Sequence, residues 1–526
     1  MSSNADVAIV TRLHISNPVI AALGGIALML LVGFASGQDF NYDLINYHFS
    51  SAYLLLVGQI DRNVAPSGVQ SWFNPIGYVP AYLAIVYLPP RIASMLLAGA
   101  AGLNAPLIYL IASRVAADLP SEDRARIAFG CTAMGMTGAI TLSEAGTSFL
   151  DVDLSIATLG AVLAAIKALD ADVRQQRWLG LAGLLLGLIC GIKLTCVVTA
   201  VGMTATLLVM ALRRRITPAG FASFSLGGVP GFLVTGGWWA WRSWRVYGNP
   251  VFPMANDVFR SSLLPQRPLN DTSFIPTSWT GVFSYPWHWL AGDAVCGAEF
   301  AIRDPRYAIA LLAALTYISL SVRRRGSNAM PDTGLLVALF LLATYLIWLP
   351  GFAILRYAVV VEMLSGVVLL AAFRAIPRIA PRTLAMVLMI AALVMIGWTR
   401  SGSWGRTYSS ADWFGIRGAT AIHRPGTVYV MPDDAPLAFM VAAFPADARF
   451  VHIGGNLPLD PGSGLGLRAA DIVHGAPTLR SLAAAPDNAG GVATLHRFGL
   501  VAVPGRCARI ATKVAPIESC VLRFER

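Results

Sequence analysis

The sequence predicts a polytopic α-helical membrane protein with about 11 transmembrane helices, interfacial helices in the first external loop and a small C-terminal α/β domain. Three observations predict it. The 526 residues are 56% hydrophobic and 13% charged, where soluble chains carry about 25% charged residues, and mean hydropathy is +0.63. Apolar runs of near-span length recur between residues 17 and 399. From about Arg400 these runs shorten and Gly, Asp and Pro increase. The chain therefore divides into a membrane part, 1–399, and a tail, 400–526.

A span needs about 20 apolar residues. The candidates are 17–36, 91–113, 127–143, 153–169, 178–193, 195–212, 220–239, 307–322, 334–350, 356–373 and 383–399. The first has no small-residue cleavage signal followed by a soluble chain and reads as a retained helix. The net charge of +11 sits in short clusters between apolar runs, which reads as a topology signal and not as a nucleic-acid surface. Five connections each hold three basic residues: Arg114, Arg124 and Arg126; Lys167, Arg174 and Arg177; Arg213 to Arg215; Arg323 to Arg325; Arg374, Arg378 and Arg382. With eleven spans these fall on one side, the cytoplasmic one, which puts the N-terminus inside and the tail outside.

The first external loop is then 37–90. Phe73 to Leu88 is apolar, but Pro75 and Pro80 suit an interfacial piece better than a span. A helix over 44–57 places Asp43, Asn46, Tyr47 and Ser50 on one face. Asp39 and Asp43 are two carboxylates at the membrane edge, and each has a plainer reading: Asp39 ends the first span and Asp43 caps the helix. On the same side lie Glu144, Asp151 and Asp153 in the turn 142–153, a loop of about sixty residues from Tyr247 to Arg306, and Arg356 at the start of the tenth span. Arg242 and Arg245 among Trp238, Trp239, Trp241 and Trp244 read as an aromatic belt with anchoring arginines.

In the tail, 427–431, 448–455, 498–505 and 518–524 read as strands, with helices expected over 435–444 and 477–485. No cysteine spacing suits zinc. Cys507 and Cys520 are expected to form a disulfide if the tail faces an oxidising compartment.

An outer, membrane-level cavity with a few carboxylates and isolated cations suits sugar transfer from a polyprenyl-phosphate donor. Such a reaction needs a base for the acceptor hydroxyl, and Asp43 or Asp39 is placed for that. It needs a cation for the phosphate leaving group, and Lys193 and Arg356 are the candidates, because a charge at a membrane span is costly. It also needs an apolar groove for the polyprenyl chain.

These residues carry a family resemblance. Asp43-Leu-Ile-Asn46-Tyr47-His48, continuing to Ala52-Tyr53-Leu54 and Gly58, resembles the first external loop of the GT-C glycosyltransferase superfamily, oligosaccharyltransferase catalytic subunits included. FNPIGYVPAYLA resembles the proline-aromatic juxtamembrane helix of the lipid A aminoarabinose transferase and protein O-mannosyltransferase branches. EAGTSFLDVDLSIATL is similar to a second external loop in which a carboxylate opens the following span, and Arg356-Tyr357 matches an Arg-Tyr at a late span.

The resemblance implies an inverting hexosyl- or pentosyltransferase at the periplasmic face of a bacterial inner membrane, acting on an envelope glycan, lipid or protein. Asp43 would be the base and Asp151 the second-loop carboxylate. Asn46, Tyr47, His48, Glu144, Lys193, Arg356 and Tyr357 would contact substrate, and Asp151 with Asp153 would form an optional Mg or Mn site. The sequon-reading motif WWDYG is missing, which argues against N-glycosylation. A transporter or flippase of lipid-linked saccharides is the alternative, although no inverted repeat or mid-span acid supports it.

Overall fold

The computed structural model describes residues 16–170, 174–269, 271–292, 297–324, 329–377, 379–408, 412–484 and 488–525. Arg325, Arg378, Cys296 and the N-terminal end, whose side the sequence predicts, lie outside these residues.

Helix α1 (Asn17–Ser36) buries only Ala21, Gly25, Met29 and Gly33, a four-residue period that gathers small residues on one face. A Cβ at Gly33 would come within 2.7 Å of the Ser94 carbonyl and the Ala98 methyl, so the bare glycine lets the next apolar helix close in. The other faces of α1 expose Leu23, Leu31 and Phe34, as a lipid-facing helix does. The first external loop forms a π-helical turn, Leu44–His48, that continues into α2 (Phe49–Leu56). A 3-10 turn, Pro75–Tyr78, then leads into α3 (Val79–Tyr87). Both interfacial helices expected here are present.

The bundle continues with α4 (Pro90–Ala101), α5 (Asn104–Val115), α6 (Ser121–Met136), α7 (Ala139–Glu144), α8 (Asp151–Leu169), α9 (Gln175–Ile192), α10 (Val197–Leu212), α11 (Pro218–Phe232) and α12 (Trp238–Tyr247). After the long loop, with α13 (Asn256–Phe259) and α14 (Trp279–Ala291), come α15 (Arg306–Arg323), α16 (Asp332–Gly351), α17 (Val359–Met363), α18 (Ser365–Arg374) and α19 (Pro381–Trp398). Among the described residues, 9 helical stretches are long and apolar enough to cross a membrane, and 10 when the pair 355–363 and 365–374, bent by 42°, is taken as one.

The remaining expected span, 127–143, is the 16-residue α6 followed by α7. At about 1.5 Å per residue α6 is about 24 Å long, short for a bilayer, but its two ends are fixed. Arg114 before it is 2.9 Å from Asp170 at the far end of α8, and Asp118 is 2.5 Å from Arg374. Glu144 after it reaches the turn that opens α8. The pair α6 and α7 thus carries the chain from one end of the bundle to the other.

The basic connections share one end. Besides the two contacts just named, Arg215 pairs with Asp332 at 2.6 Å and Arg324 donates to the Ala375 carbonyl at 2.8 Å, so all five are tied together.

The tail sits at the opposite end. It comprises β1 (Thr427–Met431), β2 (Arg449–His452), α20 (Gly464–His474), β3 (Thr478–Ser481), α21 (Ala489–Arg497), β4 (Leu500–Ile510) and β5 (Ile517–Phe524), with strand order β2-β1-β3-β5-β4. Strands β1, β2 and β3 are parallel and β5 runs antiparallel to β3 and β4. Strand β1 is buried throughout, as a central parallel strand is.

The helix expected over 477–485 is a correction: Thr478–Ser481 is strand β3, because the free edge of β1 pairs with it from Thr427 to Val430. The helix expected over 435–444 is a 3-10 segment, Ala438–Ala443. Cys507 and Cys520 are bonded.

The tail and the first external loop share a core. Leu44, Ile45, Phe49 and Leu54 pack with Phe414, Tyr429, Phe439 and Phe450, each fully buried side chain contributing about 1.5–3 kcal/mol. Val64 extends the sheet, its N–H donating to the Phe450 carbonyl at 3.0 Å and its carbonyl accepting from His452 N–H at 3.0 Å.

Candidate functional site

Asp43 stands immediately before the π-helical turn, yet it does not cap it. The Asn41 side chain does, accepting from the Leu44 N–H at 2.7 Å. That leaves the Asp43 carboxylate free for Arg356, whose Nη2 is 2.9 Å from Oδ2. A π-bulge re-aims the side chains along it, and here it carries Asp43, Tyr47 and His48 toward the bundle.

Arg356 lies in the 3-10 turn that opens the bent tenth span, 5% exposed. Its Nη1 is 3.5 Å from Asp151 Oδ2, and its Nε is 3.4 Å from Glu299 without hydrogen-bond alignment. The guanidinium lies over Phe149 at 4.5 Å and Tyr357 at 4.8 Å. Lys193, where α9 ends and the chain turns extended, places Nζ 2.7 and 2.8 Å from the two oxygens of Asp151 and over the Tyr357 ring at 4.9 Å. Asp43, Arg356, Asp151 and Lys193 therefore form one buried chain of alternating charge. Such a chain is weak evidence for stability, because desolvation offsets its Coulomb gain; charge this costly beside membrane spans makes it the candidate functional site.

Two sizeable cavities meet this chain, besides a small one of about 20 Å³ lined by Asp151, Arg356 and Tyr357. The larger, about 570 Å³, is mostly apolar, walled by Trp72, Phe73, Phe232, Trp239 and Phe252, with Lys193, Tyr47, Tyr357, Asn74 and Asp257 among its polar groups. The smaller, about 370 Å³, is lined by Asp43, Asn41, Tyr42, Phe149, Glu299 and Trp404 among others. Lys193 faces one and Asp43 the other. Both volumes fall in the range of small-ligand pockets, about 300–1,000 Å³.

The remaining expected residues divide by position. Asn46 donates to the Ser67 carbonyl and Gln70, both at 3.3 Å, which pins the loop. His48 stacks on Tyr78 at 4.1 Å and meets Ser148 Oγ at 2.7 Å; burial, and then the charges of Lys193 and Arg356, hold it well below its ordinary pKa, so the ring is neutral. Neither residue lines either of these two cavities. Asp39 is wholly buried, with Oδ1 unpartnered among the described residues and its other oxygen on Asn41. It faces neither cavity, which separates it from Asp43. Glu144, at the end of α7, is buried with both oxygens unpartnered among the described residues.

The pair Asp151 and Asp153, expected as an optional metal site, is not drawn together on one face. Asp151 and Asp153 sit two apart on α8, about 200° around the helix, and Asp151 is held by Lys193. Among the described residues one group of three ligating side chains gathers, Cys507, Glu518 and Cys520, and its two sulfurs are bonded to each other. Arg242 stacks over Trp239 at 4.7 Å and pairs with Asp61, consistent with an anchoring arginine.

Three residues that line or join the site escaped the sequence reading. Glu299 lies in a long aperiodic loop, Trp404 at the start of the tail, ahead of its first strand, and Phe149 in the turn before α8. The one available signal was that all three lie on the side expected to face outward.

No protein-family model and no curated protein matches the chain. Among solved structures it is similar to ArnT from Cupriavidus metallidurans bound to undecaprenyl phosphate, at 12% identity over 96% of this chain and 97% of that one with a TM-score of 0.43. It is also similar to the apo state of that protein, at 13% identity over 96% and 98% with a TM-score of 0.41. Overlay at this level leaves the functional reading to the side chains described above.

Proposed function

We propose that the chain is an inverting glycosyltransferase that moves a sugar from a polyprenyl-phosphate donor to a cell-envelope acceptor. One observation carries the reading: a buried chain of alternating charge runs from a large apolar cavity, where Lys193 stands, to a smaller polar and aromatic one, where Asp43 stands. A lipid-linked donor suits the first cavity and an acceptor hydroxyl the second.

In this reading the acceptor O–H donates to Asp43, which takes the proton as the oxygen forms its bond to the anomeric carbon. The bond from that carbon to the phosphate oxygen breaks, and its electron pair stays on the departing polyprenyl phosphate. Attack from the side opposite the phosphate inverts the anomeric centre. Lys193 and Arg356 stabilise the negative charge developing on the leaving group.

A Mg or Mn ion would need Asp151, whose oxygens are both on Lys193. We assign the charge-stabilising role to the two side-chain cations, and transfer is expected to survive chelation by EDTA. The shared basic end is assigned to the cytoplasm. That puts the site and the disulfide-bonded tail on the periplasmic face of the inner membrane, which suits a disulfide.

The test uses the full chain in lipid discs with a polyprenyl-phosphate-sugar fraction from cells grown on radiolabelled glucose and an envelope extract. Acceptor-dependent release of polyprenyl phosphate supports the reading. Movement of the intact donor across the bilayer without release overturns it in favour of a flippase.

A further inference from the structure

We infer that the acceptor is an uncharged saccharide hydroxyl and not a phosphate ester or other anion. The inference rests on the transferase reading and adds the acceptor's chemical class. The cavity that holds Asp43 also holds Glu299, and no lysine or arginine lines it among the described residues. The nearest cation of the charge chain, Arg356, lies behind Asp43 and Glu299 and does not line this cavity. A phosphate entering here would meet two carboxylates and no cation on the wall, an arrangement that rejects an anion.

Hydroxyls fit the same surface. Carboxylates accept their hydrogen bonds, and the rest of the wall is aromatic. Trp404 packs against Phe149 at 4.7 Å and Phe300 at 4.4 Å, and its buried indole N–H has no partner among the described residues. An aromatic wall beside two carboxylates suits a sugar ring, which stacks its C–H face on the indole and donates its hydroxyls to the carboxylates. At the rim, Tyr42 is 46% exposed, with Asn456 and Asp434 of the tail close by. The tail therefore adds neutral and acidic groups to this entrance.

The step balances without a further reactant. A saccharide O–H loses its proton to Asp43, its oxygen bonds to the anomeric carbon, and polyprenyl phosphate leaves with the bonding pair. The product is an acid-stable glycosidic bond, whereas a phosphate acceptor would give an acid-labile glycosyl phosphate.

The full chain in lipid discs is given the labelled donor fraction, together with either the neutral glycan fraction or the phospholipid and phosphoglycolipid fraction of the envelope. Label is expected on the neutral glycan, stable to mild acid. Trp404→Ala should raise the KM for glycan about tenfold and leave the KM for donor unchanged, with Trp404→Phe close to the parent. Tyr42→Ala, at an exposed rim position, should raise the same KM about threefold even if Trp404→Ala fails to fold. Donor turnover that puts label only into acid-labile glycosyl phosphate overturns this inference and leaves the transferase reading standing. No donor turnover with either fraction overturns both.

Discussion

Two buried arginines, both at the site end of the bundle, do opposite things. Arg306 is fully buried, and four of its five guanidinium N–H groups are engaged: Nε donates to the Met134 carbonyl at 2.8 Å, Nη1 to Asp304 at 3.0 Å and Thr399 at 2.7 Å, and Nη2 to Thr137 at 3.0 Å. Asp304 and Glu362 beside it are well partnered too. Between them they accept the Ala139, Ile140 and Thr141 N–H groups at 2.7, 3.0 and 2.9 Å, which caps α7 where Gly138 offers no side chain. Arg356 is as deeply placed, but it makes one good hydrogen bond, at 2.9 Å, and two long contacts, at 3.4 and 3.5 Å. Burial does not separate a structural charge from a working one; the hydrogen-bonding capacity left over does.

That contrast can be broken at several points. The largest effect is expected from Asp43→Asn, which should lower kcat about a hundred- to ten-thousandfold while the thermal midpoint in detergent stays near the parent's. A fully active Asp43→Asn chain would remove the base. Arg306→Met should leave Asp304 buried and unpaired and cost about 3–5 kcal/mol of stability, read as a lowered unfolding midpoint with turnover per folded molecule retained. Arg356→Met should show the reverse pattern, and if it unfolds the chain as readily as Arg306→Met, the distinction fails.

Asp39 supplies a pH test. Burial pushes its carboxyl from the ordinary 3.8 to about 6, so between those values the folded chain holds a proton that the unfolded chain has shed. The stability contribution is full below the unfolded value and is lost as pH rises through about 6, a change of about 3 kcal/mol. Asp39→Asn should abolish that loss and unfold at a higher midpoint than the parent at pH 7.5; an unchanged midpoint-against-pH curve would place Asp39 in contact with water. The smallest effect is a split at Lys193. Lys193→Met should raise the KM for donor about tenfold with the KM for acceptor unchanged, and Lys193→Arg should recover part of it. Equal effects on both KM values would mean that the two cavities do not divide the substrates.

The parts legible in the sequence were those where a residue conflicts with its surroundings. Lys193, Arg356, Asp43 and Asp151 stand out because charge beside an apolar run is costly, and the structure brings all four together. Segments with a clear period gave their helices and strands within a few residues. Glu299 and Trp404 conflict with nothing around them, because the loops that carry them have no period and tertiary packing alone delivers them to the site. In the same way, 477–485 is rich in Leu, Arg and Ala and reads as a helix, but the unpaired edge of β1 overrides that preference.

The core shared by the first external loop and the tail bears on how the Asp43 segment is held. Asp43 lies early in the sequence, yet its neighbours Leu44, Ile45 and Phe49 are covered by Phe414, Tyr429 and Phe439, far along the chain. In the proposed reading the tail therefore holds the base in place. A chain truncated after α19 is expected to insert in the membrane, to bind donor lipid and to transfer nothing; activity in that truncated chain would show that the tail is dispensable for setting Asp43. Transfer would then depend on the folding of a domain that stands outside the bundle, and a copy whose tail has come undone is expected to hold donor without turning it over.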